Sequence, residues 1–122
     1  MDRFVGSRSG KSGDFSLNDK MREKIVTAIR SIPRGKVSTY GAVAKGAGYP
    51  GAARQVVASL RDAVGLPWQR VLGAGGAIKL RGEYAFEQRF RLEAEGVTFR
   101  GRKVNMKLHE HKFTKPKKRP RP

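Results

Sequence analysis

Between residues 40 and 63, two short helical stretches flank Gly48-Tyr49-Pro50-Gly51, and this turn restricts the possible folds more than any other feature. Proline has no amide hydrogen to continue a helix, and glycine adopts backbone angles other residues avoid, so neither helix can run through it. Ser38 or Thr39 can cap the first helix, Tyr40 to Ala47, which would bury Val43 and Ala44. The second helix runs from Ala52 to about Ala63, with Val56, Val57 and Leu60 expected inward. Two short helices across a tight glycine-bearing turn form the pattern of a helix-turn-helix.

The remaining chain supplies support for this corner. A helix capped by Ser16 or Asn18 is expected from Asp19, with Met21, Ile25, Ala28, Ile29 and Ile32 on one stripe. Pro33-Arg34-Gly35 ends it. Pro67-Trp68-Gln69-Arg70-Val71-Leu72 reads as a short turn or strand, followed by a mobile loop, Gly73-Ala74-Gly75-Gly76. Ile78-Lys79-Leu80 alternates as a short strand would, and Arg81-Gly82 opens another loop. From Ala85 to Glu95, Phe86, Phe90 and Ala94 recur every fourth residue and are expected to form the buried face; Leu92 lies off that stripe. Gly96 stops this helix. Val97-Thr98-Phe99 and Val104-Asn105-Met106 read as short extended pieces. Residues 1–15 form a flexible arm, 16–110 the folded domain and 111–122 a disordered basic tail in which Phe113 is the one large apolar side chain.

Charge then narrows the function. Lys and Arg number 27 against 10 Asp and Glu, a formal charge of +17. Such an excess repels itself in a compact fold and points to a polyanion partner. The helix after the turn starts Ala52-Ala53-Arg54-Gln55, a nearly bare end with one long cation, which suits a narrow minor groove and a single inserted side chain. A membrane partner is not expected, since no run approaches the roughly 20 apolar residues of a span. Met1 to Gly13 lacks the apolar core of a secretory signal.

The same residue inventory argues against catalysis. There is no cysteine, which removes disulfides, thiolate metal sites and any thiol nucleophile, and fits a reducing compartment. His109 and His111, the only histidines, lie at the start of the basic tail and are expected on a solvated face, so no metal site is anticipated. No phosphate-cradling glycine motif of the Walker or dinucleotide type occurs, and no cofactor is expected. Glu83, Glu87, Glu93 and Glu95 are expected to form surface ion pairs.

Four segments, taken in order, resemble a known family. Thr39-Tyr40-Gly41, Ala53-Arg54-Gln55-Val56, Pro67-Trp68-Gln69-Arg70-Val71 and Glu95-Gly96-Val97 are similar to motifs in the DNA-binding domain of O6-alkylguanine-DNA alkyltransferases, over roughly Lys20 to Val97. Those enzymes carry Pro-Cys-His-Arg-Val, in which the cysteine accepts the alkyl group and the histidine helps activate it. Trp68 stands at the cysteine position and Gln69 at the histidine position. This resembles the alkyltransferase-like proteins, which have tryptophan there and more often histidine next; Gln69 departs from that commoner form. Glu95 matches the glutamate that supports the histidine.

The resemblance implies a mainly α fold: a small helical domain with a helix-turn-helix of the winged-helix-like alkyltransferase type, a few short strands and disordered basic tails. It also implies DNA contacts through Tyr40, Ala52, Ala53, Arg54 and Gln55. Arg54 would enter the duplex through the minor groove and fill the gap left by an extruded base, while Tyr40 presses on the neighbouring phosphate. Trp68, Val71 and Arg81 would form the lesion pocket. The implied function is non-enzymatic recognition of O6-alkylguanine in duplex DNA by nucleotide flipping, marking the site for nucleotide excision repair proteins. The expected protein is monomeric and intracellular, acting with DNA in a bacterial nucleoid or a nucleus. The competing expectation is a general or architectural DNA-binding protein driven by its basic tails.

Overall fold

The computed structural model describes residues 12–113, so most of the expected N-terminal arm and the tail from residue 114 onward lie outside it. The described residues form α1 (Ser12–Arg30), β1 (Ser38–Thr39), α2 (Tyr40–Gly46), α3 (Ala53–Asp62), β2 (Val71–Leu72), α4 (Glu83–Ala94), β3 (Phe99–Arg100), β4 (Lys103–Val104) and α5 (Met106–His109), with single 3-10 turns at Trp68–Arg70 and Ala74–Gly76. The expected mainly helical architecture is present, with strands of two residues each.

α1 starts well before Asp19, so the arm's residues 12–15 are helical and Ser16 and Asn18 lie inside the helix instead of capping it. A cap forms only where free backbone amides await a partner, and no residue between Ser12 and Asp19 interrupts the ladder. The anticipated stripe is otherwise correct: Ile25, Ala28 and Ile29 are buried, as is Ile32 just past the helix end. Thr39 caps α2, its Oγ1 accepting from the Ala42 amide at 3.1 Å. Positive φ at Gly48 and Gly51 then turns the chain into α3.

Two apolar clusters result. One joins α1, α2 and α3 through Ile25, Ile29, Val43 and Val56, and includes Val71 of β2. The other gathers Val37, Leu72, Leu92, Val97 and Val104 beneath α4 and the C-terminal strands. β1 and β2 pair in parallel, Ser38 with Val71 and Thr39 with Leu72, and this ladder joins the two clusters. β3 and β4 form an antiparallel hairpin. The strand expected at Ile78–Leu80 is absent; only Ala77 makes an isolated bridge, to Lys103.

The buried face of α4 is not the one its aromatic spacing indicates. Phe86 and Phe90 are 74% and 61% exposed, Ala94 is exposed too, and Leu92 is 0% exposed. Gln88 shares the buried face with Leu92 because its Nε2 donates to the carbonyls of Gln69 and Val71, at 3.2 and 3.0 Å. That face must satisfy backbone oxygens as well as exclude water, and a phenylalanine there could not do both.

The C-terminal segment belongs to the fold further than residue 110. The Val37 amide donates to the His109 carbonyl at 2.8 Å, and the His111 amide donates back to the Val37 carbonyl at 2.7 Å. His109 is not on a free solvated face: its Nε2 lies 3.1 Å from the Thr98 amide and its Nδ1 3.2 Å from the Gly35 carbonyl. Phe113 packs against the α1–α3 cluster. A Cβ on Gly46 would fall 2.6 Å from the Phe113 ring, so α2 ends on glycine where that ring approaches. His111 and Phe113, expected in the tail, thus make contacts with the folded part.

Candidate nucleic-acid interface

A cavity of about 440 Å³ opens where α2, α3, the Trp68 turn and the start of α4 converge. Tyr40, the first residue of α2, forms one side, and Trp68 with Val71 forms another. Val57, Leu60 and Arg61 of α3 line it from across the helix-turn-helix, and Leu80 and Tyr84 close the remaining side. The lining is mostly apolar and aromatic with a few polar groups, the composition of a site that holds a flat organic ring. Burial raises the Tyr40 pKa, which keeps its phenol protonated and able to donate. On the α4 side, the Arg91 guanidinium carbon stands 5.6 Å from the Trp68 ring centroid and its charge is paired with Glu87 at 2.6 Å.

The residue after Trp68 turns the other way. Gln69 is 8% exposed, and its Nε2 donates to Glu95 Oε2 at 2.7 Å. Arg70 grips both oxygens of the same carboxylate, Nε to Oε1 and Nη2 to Oε2, each at 3.0 Å. Its Nη1 also donates to the Ile32 carbonyl at 2.9 Å, tying the turn to the end of α1. The Gly35 amide adds a longer contact to Glu95 Oε1 at 3.4 Å. Burial raises the Glu95 pKa, but the hydrogen bonds from Arg70, Gln69 and Gly35, with the Arg70 charge, outweigh it and hold the carboxyl below its ordinary range. Glu95 is thus not the surface ion-pair member expected of it: its side chain is 7% exposed. Glu87 and Glu93 do form exposed pairs, with Arg91 and Arg89.

Of the residues singled out from sequence, Tyr40, Trp68 and Val71 come together in the cavity. Arg54 and Gln55 are exposed on the first turn of α3, and Ala53 is half-buried. Ala52 is buried in the helical core and cannot present its methyl group outward, so the bare helix end is narrower than expected. Arg81 is exposed beside Leu80 and does not line the cavity itself. Val57 and Leu60 were expected wholly inward; both are half-buried and face the cavity. Val57, Leu60 and Arg61 stand three and four residues apart, one helical face, whereas the core takes Val56 and Ser59. That second face is a signal the sequence carried. Tyr84 offered none, because only the packing of α4 turns it toward the cavity.

Among the described residues, no group of three or more His, Cys, Asp or Glu is placed to hold a metal ion. No described helix is long and apolar enough to cross a membrane.

Residues 20–97 match the family described as the 6-O-methylguanine DNA methyltransferase DNA-binding domain. A DNA base-flipping protein of Vibrio parahaemolyticus is 46% identical over 82 residues, 65% of this chain and 82% of that protein. Alkyltransferase-like protein 1 of Schizosaccharomyces pombe is 40% identical over 103 residues, 80% of this chain and 92% of its own length. The structure superposes on S. pombe Atl1 in complex with damaged DNA containing O6-carboxymethylguanine with a TM-score of 0.66 and 34% identity, covering 77% of this chain and 96% of that one. The Mycobacterium tuberculosis OGT in complex with DNA gives a TM-score of 0.54 and 31% identity, over 70% of this chain but 51% of that chain.

Proposed function

The chain belongs to the 6-O-methylguanine DNA methyltransferase DNA-binding-domain family, and we propose that it recognises O6-alkylguanine in duplex DNA without transferring the alkyl group. The observation that carries this reading is Trp68 in the cavity wall, in a chain with no cysteine. An alkyl acceptor must be a nucleophile aimed at the substituent carbon. An indole ring at that place offers contact area and no nucleophile. Gln69 cannot serve as a general base, and its amide is already committed to Glu95.

The family match and the placement of Tyr40, Arg54 and Trp68 support the following steps. The +17 charge draws the duplex to the protein. Arg54 enters from the minor groove and occupies the space of the extruded nucleotide, with Ala53 and Gln55 against the backbone beside it. Tyr40 bears on the adjacent phosphate and favours rotation. Flipping costs a few kcal/mol, least where the pair is already weakened, as an alkylated O6 weakens it. The base then enters the cavity against Trp68 and Val71, each aromatic or cation–π contact contributing on the order of 1 kcal/mol. Arg81 closes from the 77–82 loop. The flipped complex, being unreactive, persists and marks the lesion for nucleotide excision repair. The protein works as a monomer, inside the cell, on DNA.

The test is a titration of O6-methylguanine duplex against the matched undamaged duplex at two salt concentrations, with the mass of the protein followed afterwards. Tighter lesion binding at both salts with no gain of a methyl group is the expected result. Equal affinity for the two duplexes would overturn the reading.

A further inference from the structure

Every residue lining the cavity except Arg61 is uncharged. Its surroundings leave that charge uncompensated. The adjacent acid, Asp62, is engaged by Arg22 at 2.9 Å, and among the described residues Arg61 forms no ion pair. Of the two cations nearby that do not line the cavity, Arg91 already has Glu87 as its partner, and Arg81 stands exposed beside Leu80. A guanidinium beside apolar walls loses water when a ligand covers it, and regains that loss only if the ligand supplies an anion. The planar fork fits a carboxylate with two parallel hydrogen bonds.

Resting on the lesion-recognition reading above, we propose that Arg61 sets a preference among lesions by charge: O6 substituents ending in a carboxylate bind more tightly than neutral ones of the same size. The base is held by Trp68 and Val71 whichever substituent it carries, since those contacts are apolar or aromatic. Among the residues that line the cavity, only Arg61 can distinguish a carboxylate from its isosteric amide. The solved complex of S. pombe Atl1 with O6-carboxymethylguanine concerns one such lesion; the selection between charged and neutral forms, and its assignment to one side chain, are properties inferred for this chain.

Four duplexes test the idea: undamaged, O6-methylguanine, O6-carboxymethylguanine and its neutral isostere O6-carbamoylmethylguanine. The native protein is expected to favour carboxymethyl over carbamoylmethyl roughly three- to tenfold, the range for a partly solvated ion pair with good geometry. In Arg61→Gln that ratio should fall to about one while O6-methylguanine is still preferred over undamaged DNA; Arg61→Lys should keep part of the ratio. A native protein that ignores the charge overturns the proposal. So does an Arg61→Gln variant that weakens all four duplexes by one factor, which is the signature of a backbone phosphate contact. Lesion preference without charge preference removes the role of Arg61 alone, whereas equal binding of all four duplexes removes the underlying reading and this proposal together.

Discussion

Trp68 lines an open, largely apolar cavity, whereas Gln69, one residue later, is buried and donates to a carboxylate that Arg70 also grips. The two sides of one short turn meet opposite demands. The outward side leaves a cavity open beside Trp68, the space the proposed reading needs for a ring, while neighbouring Val71 also belongs to the helical core. The inward side is saturated with hydrogen bonds and connects the turn, the end of α1 and the end of α4 through Glu95. Glu95 holds the turn in place, its carboxylate accepting from Gln69, Arg70 and Gly35.

That contrast predicts which substitutions harm stability and which harm recognition. The largest effect is expected for Glu95→Ala, which takes the carboxylate from the Arg70 guanidinium; losing this part-buried, hydrogen-bonded pair should cost about 1–3 kcal/mol, measurable by denaturant unfolding. If the midpoint barely moves, the inward side is not the scaffold described. The same carboxyl gives a pH test. Because its native pKa is lowered, the stabilisation it provides is complete above the ordinary carboxylate range. It is lost as the pH falls through the lowered native value. Glu95→Gln should flatten that acid limb of the stability curve, and an unchanged limb would contradict the assignment.

Trp68→Ala is expected to do the reverse. It should leave the unfolding midpoint within about 1 kcal/mol of the native protein, yet reduce the lesion-over-control ratio by roughly tenfold, the equivalent of one lost ring contact of 1–1.5 kcal/mol. Loss of stability instead of selectivity would make Trp68 a core residue. The smallest and most discriminating effect concerns the tail. Deleting residues 114–122 should weaken binding to every duplex equally and lower the salt dependence, with stability untouched. Starting the deletion two residues earlier also removes Phe113 from Gly46, and stability should then fall by about 1–2 kcal/mol. Identical stabilities for the two deletions would place Phe113 outside the fold.

Much of this was legible in the residues because it is local. The stripe of α1, the Thr39 cap and the Gly48–Gly51 turn depend on neighbours within a few positions, and each is found where spacing and backbone chemistry put it. The motif order similarly identified Tyr40, Trp68 and Val71, which the fold brings to one cavity. The face of α4 was not legible. Phe86 and Phe90 are more apolar than Gln88, but Gln69 and Val71 present carbonyls that only an amide donor can satisfy.

What the sequence by itself determined is therefore the helical corner, the cationic character and the absence of a cysteine, all properties of composition and short spacing. Only the tertiary structure decided that the Glu95 side chain turns inward, that Arg61 at the cavity has no ion-pair partner among the described residues and that Phe113 packs against the helical core. The reason is physical. A side chain's charge and shape are its own, but its exposure and its partners are set by segments distant in the chain, and no local pattern encodes which of them arrives.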